Sequence, residues 1–218
     1  MKIIDKMSRL TGELEKIFRM LNEDMFNNAL PTPVITVTPS SRSYAHYTPW
    51  DAWSTGETQK REINIASGTL DRSLENIVAS LLHEMCHMAN DLVLNVQDTS
   101  RNGTYHNKQF KAMAESHGLT VTKSDKYGYA HTAPSDLLLD WIIDHDELRE
   151  VEMCRNNSSF AAVGIGAHTG NATGLTVIGV NPNSHSRKYT CPCCGNSVRA
   201  TKRVNVICGD CMEHMTAC

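Results

Sequence analysis

The sequence lacks any uninterrupted apolar run of the roughly 18 residues that a membrane-spanning helix requires. Residues 1–16, MKIIDKMSRLTGELEK, also lack the apolar segment of a secretory signal peptide. No segment repeats elsewhere in the chain. These absences argue against a helical membrane protein and against export, so we expect a globular, cytoplasmic protein that does not contact a membrane.

Cysteine is scarce outside the C-terminus. Two of the eight cysteines precede residue 191, and four of the remaining six form the pairs Cys191-x-x-Cys194 and Cys208-x-x-Cys211. Without an export signal, metal binding explains these thiols better than disulfides. The thirteen residues between the pairs are typical of a zinc ribbon, in which two tight turns bind one structural zinc ion. Cys193 leaves the register of the first pair open, and unpaired thiols in a disordered tail are the alternative.

Positive charge is scarce in most of the chain and concentrated at its end. Residues 187–218 carry five basic and two acidic side chains, a net +3; the whole chain is −3, so the remainder is −6. A basic tail on an acidic body is a weak signal for an anionic partner. A folded ribbon would gather Arg199, Lys202 and Arg203 on a small surface, which predicts weak, sequence-independent DNA binding. The alternative is a solvated basic surface.

Residues 73–92 have the period of an amphipathic helix. The polar face carries the H-E-x-x-H motif His83-Glu84-x-x-His87. Two imidazoles four residues apart lie one helical turn apart, so both can bind one zinc ion, while Glu84 is displaced and can accept a proton from water. Cys86 is interpreted as a buried small apolar residue. The alternative is an ordinary amphipathic helix whose solvated face carries two histidines.

A hydrolytic zinc site needs three protein ligands and an open position for water, so a third ligand must come from elsewhere. His106 is the best candidate, since we expect it to begin the next helix after a loop long enough to turn back. His117 lies eleven residues later on a similar helical face and stays open as an alternative, although a partly exposed histidine at a helix end is its simpler interpretation. Three other histidines have no spacing that indicates this site: His46, His131 and His145.

Periodicity and turn residues predict both helices and strands. The expected helices cover residues 10–25, 73–92, 106–118 and 137–153. The expected extended segments are 34–38, 44–53, 62–66 and 119–122, with Pro49 excluding a central strand in the second. We divide the chain into three parts: a candidate catalytic domain at 1–153, a Gly/Asn/Ser-rich linker at 154–186 that contains a candidate strand at 176–180, and the ribbon at 187–218.

Four segments together resemble the SprT-like family of zinc metalloproteases, whose eukaryotic relative is Spartan. They are LNEDMFNNALPTPVITV, LLHEMCHMAN, TSRNGTYHNKQFKAMAESHGL and the terminal YTCPCCG…CGDC. The resemblance implies a compact zincin-like α+β core, and a third zinc ligand in an H-x-x-x-F segment that His106 to Phe110 matches. Asn107 stands where many members have glycine. Eukaryotic members degrade proteins crosslinked to DNA, which makes DNA-associated proteins a candidate substrate class.

We therefore predict a zinc-dependent endopeptidase with one catalytic and one structural zinc ion. Glu84 would be the general base, and Tyr129 or Tyr127 could stabilise the oxyanion. One rival is a nucleic-acid-binding protein in which the ribbon is the working part and the helix zinc is structural. Another is a zinc hydrolase that acts on a bond other than a peptide bond. A purely structural site has no use for Glu84, so its presence favours an enzyme.

Overall fold

The protein is a mixed α+β chain, as the sequence predicts. The computed structural model describes residues 4–40, 42–151, 153–155, 187–200 and 204–217, with three of these positions described by their backbone alone: Thr55, Arg187 and Arg199. Four α-helices and three sheets account for the described part. None of the helices found there is both long and apolar enough to cross a bilayer.

Two long helices carry most of the hydrophobic core. Helix α1 spans Met7–Phe26 and α2 spans Leu74–Leu92, close to their predicted bounds. Each presents an apolar stripe at helical spacing that is buried to within a few per cent of complete. Cys86 lies in that stripe of α2 and is fully buried, which confirms its apolar role. The opposite face of α2, which carries the H-E-x-x-H motif, is thereby held in a fixed direction.

The first sheet contains strands β1 (Val34–Thr38), β2 (Ala45–Thr55) and β3 (Thr58–Ala66) in the order β1-β3-β2. Strand β3 is central, parallel to β1 and antiparallel to β2, and its Ile63 and Ile65 are completely buried. Strand β2 is therefore an edge strand, as Pro49 requires. Its pairing with β3 is interrupted by a bulge between Thr48 and Trp53.

The second sheet contains β4 (Thr99–Ser100), β5 (Tyr105–His106), β6 (Leu119–Ser124) and β7 (Gly128–Pro134) in the order β4-β5-β7-β6. Only the start of β6 is predicted from the sequence, and 98–107 is expected to be a loop. The prediction that His106 begins a helix is wrong. His106 lies in β5, and helix α3 (Lys108–Ser116) follows it, because the Asn107 side chain accepts hydrogen bonds from the first helical amides and caps the helix.

The predicted helix over 137–153 is too long. Helix α4 spans Asp136–Asp144, and His145 leaves the helical conformation. Its Nδ1 lies 2.7 Å from the Trp141 carbonyl oxygen, which favours termination at this point. The chain beyond finds partners in other elements, since the amide of Arg149 donates to Glu13 and Val151 forms a bridge with Ile4. These tertiary contacts replace the hydrogen bonds that a longer helix would have made.

The third sheet lies at the C-terminus and contains β8 (Arg187–Thr190), β9 (Ser197–Ala200) and β10 (Thr216–Ala217) in the order β10-β8-β9, all antiparallel. A small cluster of buried side chains holds it together: Tyr189, Cys191, Cys208 and Met215. Lys188 lies 3.8 Å from Asp140 of α4. Most of the predicted linker, including the candidate strand 176–180, lies outside the described residues, so the three-part division stays a prediction.

Candidate metal centre

Three histidines from two elements converge on one point. His83 and His87 project from α2, and His106 projects from β5. Their Nε2 atoms form a triangle with sides of 3.2 Å (His83 to His87), 3.2 Å (His83 to His106) and 3.0 Å (His87 to His106). Zn–N bonds of about 2.0–2.1 Å in tetrahedral geometry separate nitrogens by about 3.3 Å. The triangle is therefore of the size that a single zinc ion requires.

Hydrogen bonds on the other side of two of these rings fix which nitrogen faces the centre. Nδ1 of His87 lies 2.7 Å from a carboxylate oxygen of Asp98, so Nδ1 donates to that carboxylate and Nε2 faces the other two histidines. Nδ1 of His83 lies 3.0 Å from the Thr132 hydroxyl. Burial and the neighbouring histidines lower the pKa of His83 and bring that of His106 to about 3, so both rings are neutral near pH 7. Three imidazole nitrogens this close to one another can be satisfied together by one bound cation.

Phe110 is the common support of the three rings. Its side chain is completely buried, and its ring centroid lies 4.5 Å from those of His83 and His87 and 4.6 Å from that of His106. Helix α3 begins two residues after His106 and places Phe110 there within its first turn. The H-x-x-x-F spacing therefore supplies both a candidate ligand and the apolar surface that holds all three imidazoles.

Asp98 is one of the residues at this site that the sequence does not reveal. It is 8 % exposed and accepts hydrogen bonds from His87 and from the Asn90 side chain. Its backbone carbonyl accepts the amide proton of Asn107, next to His106. One residue thus orients a histidine of α2 and fixes the segment that delivers the third histidine. An aspartate in a polar loop is too ordinary for sequence reasoning to select.

Glu84 lies beside the histidines without joining them. Its side chain is 6 % exposed, and burial raises its pKa to about 7, against the lowering effect of His87 and of a hydrogen bond from the Tyr47 backbone. Tyr47 belongs to edge strand β2, and its phenol donates to Asp91 of α2 at 2.6 Å. The base that the sequence predicts is therefore a buried carboxylate held between the metal-binding helix and an edge strand.

Other histidines and tyrosines occupy different positions. His117, the alternative third ligand, stacks on Phe26 with ring centroids 4.3 Å apart and lies at the end of α3, outside the triangle. His131 is half-buried on β7, where burial lowers its pKa, and lies with its ring centroid 6.2 Å from that of Tyr127. The ring of Tyr129 lies 5.5 Å from the Lys111 ammonium and packs against the core. His46 is exposed on β2, and His145 ends α4.

Four cysteines form a second candidate metal site in the C-terminal sheet. The sulfur atoms of Cys191, Cys194, Cys208 and Cys211 all lie within 4.8 Å of one another. Zn–S bonds of about 2.3 Å place tetrahedral sulfurs about 3.8 Å apart, so this set also has the dimensions of a zinc site. Cys193 is exposed and is not one of the four, which answers the question of register that the sequence leaves open.

The two cysteine pairs lie in turns of the same design. The Gly195 amide donates to the Cys191 carbonyl at 3.0 Å, and the Met212 amide donates to the Cys208 carbonyl at 2.8 Å. Gly195 and Met212 both have left-handed backbone conformations, with φ of 74° and 57°. A hydrogen bond from the Cys194 backbone lowers the pKa of Cys191 to about 7, whereas hydrogen bonds with the Cys194 and Cys193 side chains raise the pKa of Cys211, so Cys191 is the thiol of these two that ionises first.

The basic residues predicted to contact DNA fall largely outside the described part of the chain. Lys202 and Arg203 are not described, and Arg199 is described by its backbone alone, in β9. The DNA-binding surface therefore stays a prediction from the sequence.

Comparison with known proteins agrees with the site. A model of the SprT-like family matches residues 14–127, which is more than half of the 218-residue chain and includes His83, Glu84, His87 and His106. No curated protein and no solved structure matches the chain. The match to the family model, over the segment that builds the histidine triangle, shows that this chain belongs to the SprT-like family.

Proposed function

We propose that the protein is a zinc-dependent endopeptidase that uses His83, His87 and His106 as zinc ligands and Glu84 as general base. The observation that carries the proposal is the combination of three converging histidine nitrogens with a buried carboxylate that binds none of them. A site that served structure alone would close the fourth position with another ligand and would have no need of Glu84. SprT-like membership supports a metalloprotease-type function.

The bound zinc ion would supply a Lewis acid that lowers the pKa of water and polarises the scissile carbonyl. Glu84 takes the proton from the attacking water and later delivers it to the leaving amine. The Tyr47 backbone orients the carboxylate for both transfers. Phe110 and Asp98 hold the imidazoles in place, and the low exposure of Glu84 keeps bulk water from competing for the proton.

The edge strand β2 supports a peptide as the substrate rather than another ester or amide. The Ala66 amide donates to the Tyr44 carbonyl, so alternation along the antiparallel pair turns the N–H and C=O groups of Ala45 and Tyr47 away from β3. The Tyr47 N–H contacts Glu84, which leaves both Ala45 groups and the Tyr47 carbonyl for a further strand. In the described sheet, nothing pairs with that side of β2. An extended polypeptide can add to this edge and would then lie next to Glu84. A non-peptide zinc hydrolase would have no use for it.

Tyr129 remains our proposed oxyanion donor, with Tyr127 as the alternative. Tyr127 ends the segment that joins β6 to β7, Tyr129 is the second residue of β7, and β7 pairs with β5 at the position of His106. A phenol that stabilises the oxyanion should reduce turnover by about 10²-fold when it is replaced by phenylalanine, without changing zinc content. Comparison of Tyr129→Phe with Tyr127→Phe identifies which of the two, if either, has this role.

We further propose that the partners are protein substrates and, weakly, DNA, which contacts the ribbon through Arg199, Lys202 and Arg203. Salt should weaken this binding steeply, because each phosphate contact releases a counterion. Replacing all three residues with alanine should abolish it while zinc stays bound. Absence of binding to single- and double-stranded DNA at low salt would remove DNA and DNA-associated substrates from the proposal, and would leave the peptidase assignment intact.

Glu84→Gln tests the function directly. The amide keeps the shape of the side chain but cannot accept the proton, so hydrolysis of an unfolded protein substrate should fall by at least about 10²-fold. Zinc content and circular dichroism should match wild type. Activity of Glu84→Gln within about tenfold of wild type would exclude Glu84 as the base. If neither wild type nor Glu84→Gln hydrolyses the substrate faster than a blank without protein, the peptidase assignment is excluded.

A further inference from the structure

The bulge in edge strand β2 is large and lies beside the proposed catalytic site. Thr48 pairs with Glu62, and the next paired residue, Trp53, lies opposite Lys60. Strand β2 therefore advances five positions while β3 advances two, and the three extra residues are accommodated within 49–52. Bulges of this kind interrupt pairing and redirect side chains, and they are common next to active sites.

Charged contacts tie this bulge to the metal-binding helix. Arg61 lies 3.6 Å from a carboxylate oxygen of Asp51 in the bulge and 3.8 Å from one of Asp91 in α2. Asp91 also accepts the phenol proton of Tyr47, whose backbone contacts Glu84. One guanidinium thus joins the bulge to α2, one turn beyond His87. These contacts therefore hold the bulge on edge strand β2, the strand whose backbone contacts Glu84.

Trp50 precedes Asp51 in this bulge and is 62 % exposed, more than any other aromatic side chain among the large exposed apolar residues. Trp53 is also exposed, but its indole N–H donates to Glu62, whose other oxygen accepts from Thr36. Glu62 alternates with the fully buried Ile63, so Trp53 lies on the outer face of the sheet, away from α2. Trp53 is therefore held by Glu62, whereas Trp50 lies in the bulge next to Asp51, which contacts Arg61.

We propose that Trp50 is a substrate-binding residue that selects a large apolar side chain of the polypeptide. This inference rests on the proposed function. A polypeptide that pairs with Ala45 and with the Tyr47 carbonyl cannot continue its ladder into the bulge, because Pro49 has no N–H and the register is lost there. The substrate side chain at that point, roughly three residues or about 10 Å from the position next to Glu84, packs on the indole instead.

Local charge favours a polypeptide over nucleic acid as the occupant. The charged residues of the bulge and of the elements that contact it include three carboxylates, Asp51, Glu62 and Asp91, against two cations, Arg61 and Lys60. Phosphate groups would meet net negative charge here, whereas an apolar side chain meets an exposed aromatic ring.

The test compares three variants of the full-length, zinc-loaded protein with wild type: Trp50→Ala, Trp50→Phe and the matched control Trp53→Ala. Each digests the same reduced, alkylated protein mixture, and mass spectrometry maps the cleavage sites. Wild type should show large apolar residues enriched at one position. Trp50→Ala should lose this enrichment and raise KM for the best peptide about tenfold with kcat nearly unchanged, while Trp50→Phe restores most of it and Trp53→Ala resembles wild type.

Equal cleavage profiles for Trp50→Ala and Trp53→Ala would overturn the subsite and leave the peptidase intact. If wild type cleaves no more than Glu84→Gln, the proposed function fails. Binding of the same peptides to the zinc-loaded proteins then decides the subsite. The subsite is supported if Trp50→Ala, and neither of the other two variants, binds the peptides about tenfold more weakly than wild type. Quenching of Trp50 fluorescence by a thymidine oligonucleotide, with no response to peptides, would instead assign the surface to nucleic acid and contradict the inference.

Discussion

The two candidate metal sites differ in how much protein surrounds them. The histidine triangle lies within the main core, with two histidines on a long helix, a phenylalanine beneath all three rings and Asp98 behind His87. The four cysteines lie in two turns of a small sheet whose buried cluster, among the described residues, contains four side chains, two of them cysteines. The main core positions the three histidines, whereas we expect the C-terminal sheet to depend on its four cysteines for its own folding.

This difference implies different dependence on zinc. The main core has buried apolar residues from both long helices and a central strand, so it should fold with or without metal. The C-terminal sheet is too small to stabilise itself, and metal binding must supply its folding free energy. The number of candidate ligands fits these expected roles, since a zinc ion on three histidines would keep a position open for chemistry and one on four thiolates would not.

The largest expected effect is the loss of the ribbon when one of its cysteines is replaced. Structural zinc sites contribute apparent binding free energies of about 10–16 kcal/mol at pH 7, so Cys208→Ser should unfold the C-terminal sheet and release its zinc. Hydrolysis of small peptides should change little, because the histidine site is supported separately. Cys193→Ser, at an exposed thiol outside the four, is the control. Nuclear magnetic resonance spectra of β8–β10 report the outcome.

Replacement of the third histidine should have the next largest effect. His106→Ala leaves two ligands, so the core zinc should be lost and hydrolysis with it, at a cost of several kcal/mol of transition-state stabilisation. His117→Ala should cost little, since that ring stacks on Phe26 outside the triangle. Zinc content and peptide hydrolysis measured on both variants separate them, and the reverse pattern would assign the ligand to His117.

Phe110→Ala should destabilise the core whether or not zinc is bound. Removal of a completely buried phenylalanine costs about 3–5 kcal/mol and leaves a cavity beneath the imidazoles. Leu137→Ala, at a side chain that is 57 % exposed, should change stability by less than about 0.5 kcal/mol. Urea unfolding of both variants without metal measures the difference, and equal stabilities would show that Phe110 does not support the site.

Asp98→Asn should have the smallest effect, confined to one site. The amide weakens the hydrogen bond that fixes the His87 tautomer, so affinity for the core zinc should fall about 10- to 100-fold. Affinity at the cysteine site should stay unchanged. Asp91→Asn, at a carboxylate that binds Tyr47 rather than a histidine, is the matched control. Competition with a zinc-binding dye measures both sites, and equal losses in the two variants would contradict an orienting role for Asp98.

The helix that carries the site was predictable from its strong periodicity. The elements that form through pairing with distant parts of the chain were not. Helix α2 follows from its apolar stripe, and the edge position of β2 follows from Pro49. Strand β7, with the sequence GYAHTAP, has no alternating apolar pattern and is extended because it pairs with β6 and β5. Residues beyond His145 keep a helical apolar spacing, yet contacts with α1 and Ile4 draw them out of the helix.

The candidate ligands were predictable because their chemistry is local, and their supports were not. Two histidines one turn apart and paired C-x-x-C turns can be recognised in a sequence. Asp98, Thr132 and the Tyr47 backbone reach the site only through the fold, from a loop, a strand of one sheet and the edge of another. Asn107, which replaces a common glycine, is explained by its extended backbone and its capping of α3.

The central claim is that one zinc site performs hydrolysis while the other holds the ribbon. Stepwise removal of zinc from the wild-type protein by a chelator, with zinc release, peptide hydrolysis and ribbon resonances recorded on one sample, tests it most directly. We predict two zinc ions per chain, with hydrolysis lost as the first is released and the ribbon spectrum unchanged until the second follows. A single zinc ion, or hydrolysis that survives until the ribbon unfolds, would contradict the account.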